Sequence, residues 1–100
     1  MKQWLKGYET VPICYTSHAM NDKIRRGFAQ QADIEENIRK PVKLIACKQE
    51  DINLEHPKYK LTFTLSRART LVIIVRLNQE ITVITAWEII NKWQRRLWKR

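Results

Sequence analysis

The sequence predicts an α+β fold organised around a β-hairpin, and three observations predict it. Residues 70–87 hold two β-branched, nearly uncharged runs, 71–77 and 81–86, separated only by the polar Asn78, Gln79 and Glu80. Both runs are apolar on successive residues, the pattern of strands covered on both faces, which places the hairpin at the centre of a sheet. Upstream, Leu61, Phe63 and Leu65 alternate with Lys60, Thr62 and Thr64, marking a further strand over residues 59–65. In the first forty residues the apolar spacing changes to four, in Met20, Ile24 and Phe28 and again in Ile34 and Ile38, which marks helices.

Taken in order, residues 1–10 mix Trp4, Leu5 and Tyr8 with charged neighbours and receive no assignment. Residues 11–15 form a short apolar run containing Pro12, which a sheet tolerates at an edge or a strand start, so an edge strand is expected. Thr16 or Ser17 then caps a helix beginning near His18, and Gly27, just past Arg25 and Arg26, ends it by taking the left-handed conformation. A second helix over residues 31–39 carries Asp33, Glu35 and Glu36 in its first turns, and Pro41 prevents its continuation.

Residues 42–47 read as a strand with Val42, Leu44 and Ala46 on one face, and the polar residues 48–57 as a loop. Residues 66–69 turn into the central hairpin. Past Trp87 the apolar residues Ile90, Trp93 and Leu97 fall at helical spacing, which predicts a terminal helix. The expected fold is an edge strand, two short helices, a four-stranded antiparallel meander and a C-terminal helix, the meander following from the short connections.

One hundred residues suit a single domain with a modest core, and a hydrophobic fraction of 44% with two glycines and three prolines argues against disorder. The net charge of +9 is uneven: residues 1–50 hold nine basic and six acidic residues (+3), residues 51–100 ten and four (+6). A polyanion is the indicated partner, and the second half its expected face. Cys14 and Cys47 sit in apolar segments with no ligand spacing, as buried reduced thiols do. No apolar run reaches the length of a membrane span and no signal-peptide core opens the chain, so the expected location is the cytoplasm, with no membrane partner.

Three segments carry a resemblance. Ser17-His18-Ala19, Arg25-Arg26-Gly27 and the acidic 32–36 run, then Arg69 leading into the strand 70–75, then residues 81–87 running into Asn91, Gln94, Arg95, Arg96 and Trp98, together resemble the RelE/ParE toxin superfamily, most of all its BrnT-like branch and related small domains. The match spans residues 16–100, and Trp87 stands where that branch usually has arginine. The resemblance implies a RelE/ParE-like fold and the toxin of a toxin–antitoxin pair: an endoribonuclease that needs no metal and no cofactor, acts on RNA, free or on the ribosome, and is held by an antitoxin from an adjacent gene. The alternative is a non-catalytic binding protein of the same fold, namely a topoisomerase inhibitor, an RNA-binding module or a regulatory or immunity protein.

Cleavage through the substrate's 2′-hydroxyl needs a base, an acid and cations for the phosphate. His18, at a helix start, is one candidate base, with a packing or surface role as its alternative. His56 is the other, beside Lys58, Tyr59 and Lys60, a cluster that offers a base, a stacking ring and two cations, or an ordinary solvated loop. Arg76, a charge inside an apolar strand, must reach a phosphate or a carboxylate, Glu80 or Glu88. By resemblance Thr85 takes the place of the family's strand hydroxyl, with a β-favouring residue on a sheet face as its alternative. Arg67, Arg69, Arg95 and Arg96 complete the candidate RNA contacts.

Overall fold

The computed structural model describes residues 11–50 and 56–90. Five strands, β1 (Ile13–Tyr15), β2 (Leu44–Gln49), β3 (Lys58–Thr64), β4 (Arg69–Leu77) and β5 (Ile81–Ile90), form one sheet in the order β1-β5-β4-β3-β2. β1 runs parallel to β5, and all other neighbours are antiparallel. The chain is thus an α+β fold in which β2 to β5 are a meander, β1 is an edge and the predicted hairpin supplies the central strand β4. Two helical segments follow β1: a π-wound one, His18–Ile24, and helix α1, Gln31–Arg39. Residues 1–10, the expected terminal helix past residue 90, and Arg95 and Arg96 lie outside the described residues. Among the described residues no helix is long and apolar enough to cross a membrane.

The core lies between the helices and one sheet face. Leu61 and Phe63 of β3, Leu71, Ile73, Val75 and Leu77 of β4, and Ile81, Val83 and Ala86 of β5 meet Ala19, Ala29, Ile34 and Ile38 there. The spacing-four pair of α1 is therefore a buried stripe, as its sequence predicts, and Asn37 is buried with it by donating from Nδ2 to the Asp33 carbonyl, 2.8 Å.

Several sequence expectations are corrected. Met20, Ile24 and Phe28 do not form a stripe: Arg25 and Phe28 bond back five residues, to Met20 and Lys23, so the wider winding breaks the spacing of four and leaves Phe28 47% exposed. Of the two expected caps it is Thr16 that acts, its Oγ1 accepting from the Ala19 N–H at 3.0 Å, while Ser17 makes no side-chain cap bond. Gly27 does take a positive φ, +82°. In β2 a register irregularity between Leu44 and Ala46 turns Leu44 and Cys47 toward the core and Ala46 away from it, while Val42 lies outside the strand in a 3-10 turn, Pro41–Lys43. Trp87, Glu88, Ile89 and Ile90 extend β5 instead of starting a helix, because their backbones pair with Val72, Leu71, Thr70 and Arg69.

Both cysteines are free and half-buried. They occupy opposite edge strands, four strand spacings or about 19 Å apart, beyond the roughly 7 Å that a disulfide bridges.

A polar joint fixes β1 on α1. The Tyr15 hydroxyl donates to Glu35 Oε2 at 2.7 Å, and Gln31 Nε2 donates to the same oxygen at 2.9 Å. The hydrogen bond from Tyr15 holds the Glu35 carboxyl below its ordinary pKa, and burial, then the bond to Glu35, pushes the Tyr15 phenol well above its own. A lowered carboxyl stabilises the fold above its unfolded pKa, and that contribution is lost as pH falls through the folded value; a raised phenol stabilises it below its unfolded pKa and is lost as pH rises. Tyr15→Phe is expected to cost about 1 kcal/mol at neutral pH and to flatten stability at both ends, below about pH 4 and above about pH 10. Urea unfolding of the two proteins across that range checks it; parallel pH curves would reject the joint.

Candidate active site and nucleic-acid face

Beyond residue 83 the outer edge of β5 no longer pairs with β1, whose register ends at Tyr15 opposite Val83. The chain leaving β1 lies along that open edge instead. The Thr16 N–H donates to the Val83 carbonyl at 3.0 Å, and the Thr16 hydroxyl donates to the Ile84 carbonyl at 2.9 Å. Thr16 thereby fixes the segment that starts at His18 against β5. The contact is local and specific.

β5 is irregular at the same point. Val83 pairs with Val75 and Thr85 with Ile74, so Ile84 is an extra residue, a bulge. Regular alternation through Ile84 would put Thr85 on the face of Ile81 and Val83; the bulge instead gives Ala86 the core position and leaves Thr85 half-buried, out of the core. Here Thr85 Oγ1 stands 3.3 Å from His18 Nε2, and His18 Nδ1 stands 3.2 Å from Asp22 Oδ2, one turn further on.

These contacts order the protons. An ionised carboxylate only accepts, so Nδ1 carries the hydrogen that faces Asp22; in the neutral imidazole Nε2 is then the acceptor and the Thr85 hydroxyl donates to it. The result is a carboxylate–imidazole–hydroxyl chain with its basic nitrogen, Nε2, at the Thr85 hydroxyl. His18 and Asp22 are 53% and 57% exposed, so a substrate can reach them. Two candidates separated by 67 residues, His18 and Thr85, are brought together; Asp22 is the member that sequence reasoning missed, although its position four residues after His18 is the signal that finds it.

The sheet face away from the helices carries cations. The pleat sends Lys58 and Lys60 there together with Ile74 and Arg76, and sends Tyr59 to the core side, where it packs on the cluster. The expected grouping of ring and cations at residues 58–60 is therefore split between two faces. Across this outer face Lys48 pairs with Lys60, Lys60 with Ile74 and Ile74 with Thr85, one line of partners from the far edge strand to the histidine contact. Lys60 lies two strand spacings from Thr85, about 10 Å. A second like-charged pair, Lys58 and Arg76, faces across the ladder beside it. Like charges directly opposite are unfavourable in a bare sheet, and an anion laid across them reverses the sign.

The other candidates serve elsewhere. Arg76 Nη1 donates to the His56 carbonyl at 2.6 Å, a third answer to its burial beside the phosphate and carboxylate considered from sequence, and it ties the loop before β3 to β4. His56 itself stands half-buried next to Pro57, whose carbonyl accepts from the Leu77 N–H. Arg69 holds Glu88, Nε to Oε1 at 2.8 Å, and Asp33 at 3.4 Å, and so joins β4 to β5 and α1. Arg67 is exposed in the turn before β4.

No known protein family, curated protein or solved structure matches this chain.

Proposed function

We propose that the chain is a metal-independent endoribonuclease, the toxin of a toxin–antitoxin pair working in the cytoplasm, with RNA as substrate and a protein antitoxin from an adjacent gene as its inhibitor. The observation that carries this reading is the Asp22–His18–Thr85 chain at the end of a line of outer-face lysines. His18 Nε2 takes the proton of a ribose 2′-hydroxyl that displaces the Thr85 hydroxyl from it. The 2′-oxygen then bonds to the adjacent phosphorus, the bond from phosphorus to the 5′-oxygen breaks, and that oxygen takes a proton from solvent. Asp22 stabilises the imidazolium, and Lys60 offsets the added phosphate charge. The resemblance to RelE/ParE toxins, with His18 and Thr85 at matching motif positions, supports the same assignment.

The exposure of His18 and Asp22 favours a second reading, a non-catalytic binder, because water weakens charge stabilisation at an open site. Induction of the chain in a bacterial host, followed by primer extension on total RNA, separates the two. Growth arrest with new RNA ends supports the nuclease. Arrest with intact RNA points to a binder of the topoisomerase-inhibiting kind, and no arrest points to a regulatory or immunity protein.

A further inference from the structure

The end of the His18 segment presents an aromatic ring that lies about half outside the packed interior. Gly27 turns the chain at φ +82°, Ala29 enters the core, and Phe28 between them is left 47% exposed. Its backbone is nevertheless held on both sides: the Phe28 N–H donates to the Lys23 carbonyl at 2.9 Å, and the Phe28 carbonyl accepts from the Glu88 N–H at 2.9 Å. The ring is therefore displayed from a fixed point. Two cations attend it, Lys23 Nζ at 5.1 Å and Arg26 Cζ at 5.8 Å from its centre.

The anchor also sets its distance from the histidine. Phe28 is bonded to residue 88 of β5 and His18 touches residue 85 of the same strand, so the two anchor points lie three residues or about 10 Å apart along β5. A nucleic-acid strand covers that span in about three stacked nucleotides at about 3.4 Å each. A ring for a base, cations for its phosphates and a base catalyst within a few nucleotides suit a single strand of RNA.

We propose that Phe28, with Lys23 and Arg26, is a stacking subsite for one unpaired base of the RNA strand, its cations holding the flanking phosphates. The inference rests on the proposed RNA substrate and names a contact that fixes where along the strand His18 acts.

Binding of the full chain carrying His18→Ala, which cannot use that base, to a fluorescent single-stranded RNA by anisotropy tests it, with polyglutamate as a second probe. Phe28→Ala in that background is expected to weaken RNA binding by about 5- to 150-fold, Phe28→Trp to retain it, and Phe28→Ala to leave the salt slope unchanged. Lys23→Gln with Arg26→Gln is expected to lower the slope by about 0.7 per cation removed. RNA affinity unaffected by Phe28→Ala in a protein still folded by circular dichroism, absence of RNA binding by the parent, or a Phe28 effect on polyglutamate alone, which assigns the ring to an acidic protein, each overturns the subsite. A Phe28-dependent RNA affinity in a wild-type chain that leaves RNA intact would retain the subsite and remove the nuclease reading.

Discussion

Replacing His18 by alanine is expected to lower RNA cleavage by about 10²–10⁴-fold, the usual contribution of a positioned general base. The fold should be unaffected, because the side chain is 53% exposed and its hydrogen bonds among the described residues go to the half-buried Thr85 and the exposed Asp22. Asp22→Asn provides the graded comparison: its amide oxygen still accepts from Nδ1–H and preserves the tautomer, but it offers no charge to the imidazolium. A loss smaller than that of His18→Ala, seen in kcat and not in KM, is the expected pattern. Thr85→Val removes the hydroxyl while keeping the shape, and separates a hydroxyl that positions the imidazole from one that is merely displaced. Single-turnover cleavage of a labelled RNA reads all three. Unchanged cleavage by His18→Ala would remove the histidine from the chemistry and leave the basic face as a binding surface.

What could be read from sequence divides along a physical line. The period-two alternation of Leu61 and Phe63, the continuous apolar run of β4 and the Ile34–Ile38 spacing each report burial directly, and each of those residues except the outward members of β4 lies in the core. Conformations chosen by tertiary contact were not legible. The π winding of His18–Ile24 goes with Thr16 being bonded to two strand carbonyls 67 and 68 residues away, a contact that sequence spacing does not show. Trp87, Glu88, Ile89 and Ile90 suit helix and strand equally; the pairing of residue 90 with Arg69, and the bond from Arg69 to Glu88, decide for strand. Lys48 looked like loop because its neighbours are polar, yet an edge strand with one solvated side is polar too. The site follows the same division: His18 and Thr85 stood out by residue type and resemblance, whereas their contact depends on a bulge that four consecutive strand-forming residues conceal.

That bulge yields the second large effect. Deleting Ile84 would join Val83 directly to Thr85, and the ladder can accept this without changing register: Val83 remains opposite Val75, Thr85 opposite Ile74, and Ile81, Val83 and Ala86 keep the core face by simple alternation. The deletion therefore removes what the bulge adds and little else. It takes away the carbonyl to which the Thr16 hydroxyl donates, and with it one of the two bonds that hold the His18 segment against β5. Stability is expected to change by about 1 kcal/mol, the scale of one hydrogen bond, while cleavage falls by about 100-fold, the consequence of moving a catalytic group by about 1 Å. Ile84→Ala, which keeps the carbonyl and the extra residue, should cleave nearly as well as the parent. Chemical denaturation and single-turnover cleavage on the three proteins give the answer: a deletion variant that folds and cleaves like the parent would show that the bond from Thr16 to Ile84 plays no part in placing His18 for the reaction, and one that folds without cleaving would place the function of the bulge in holding the His18 segment against β5.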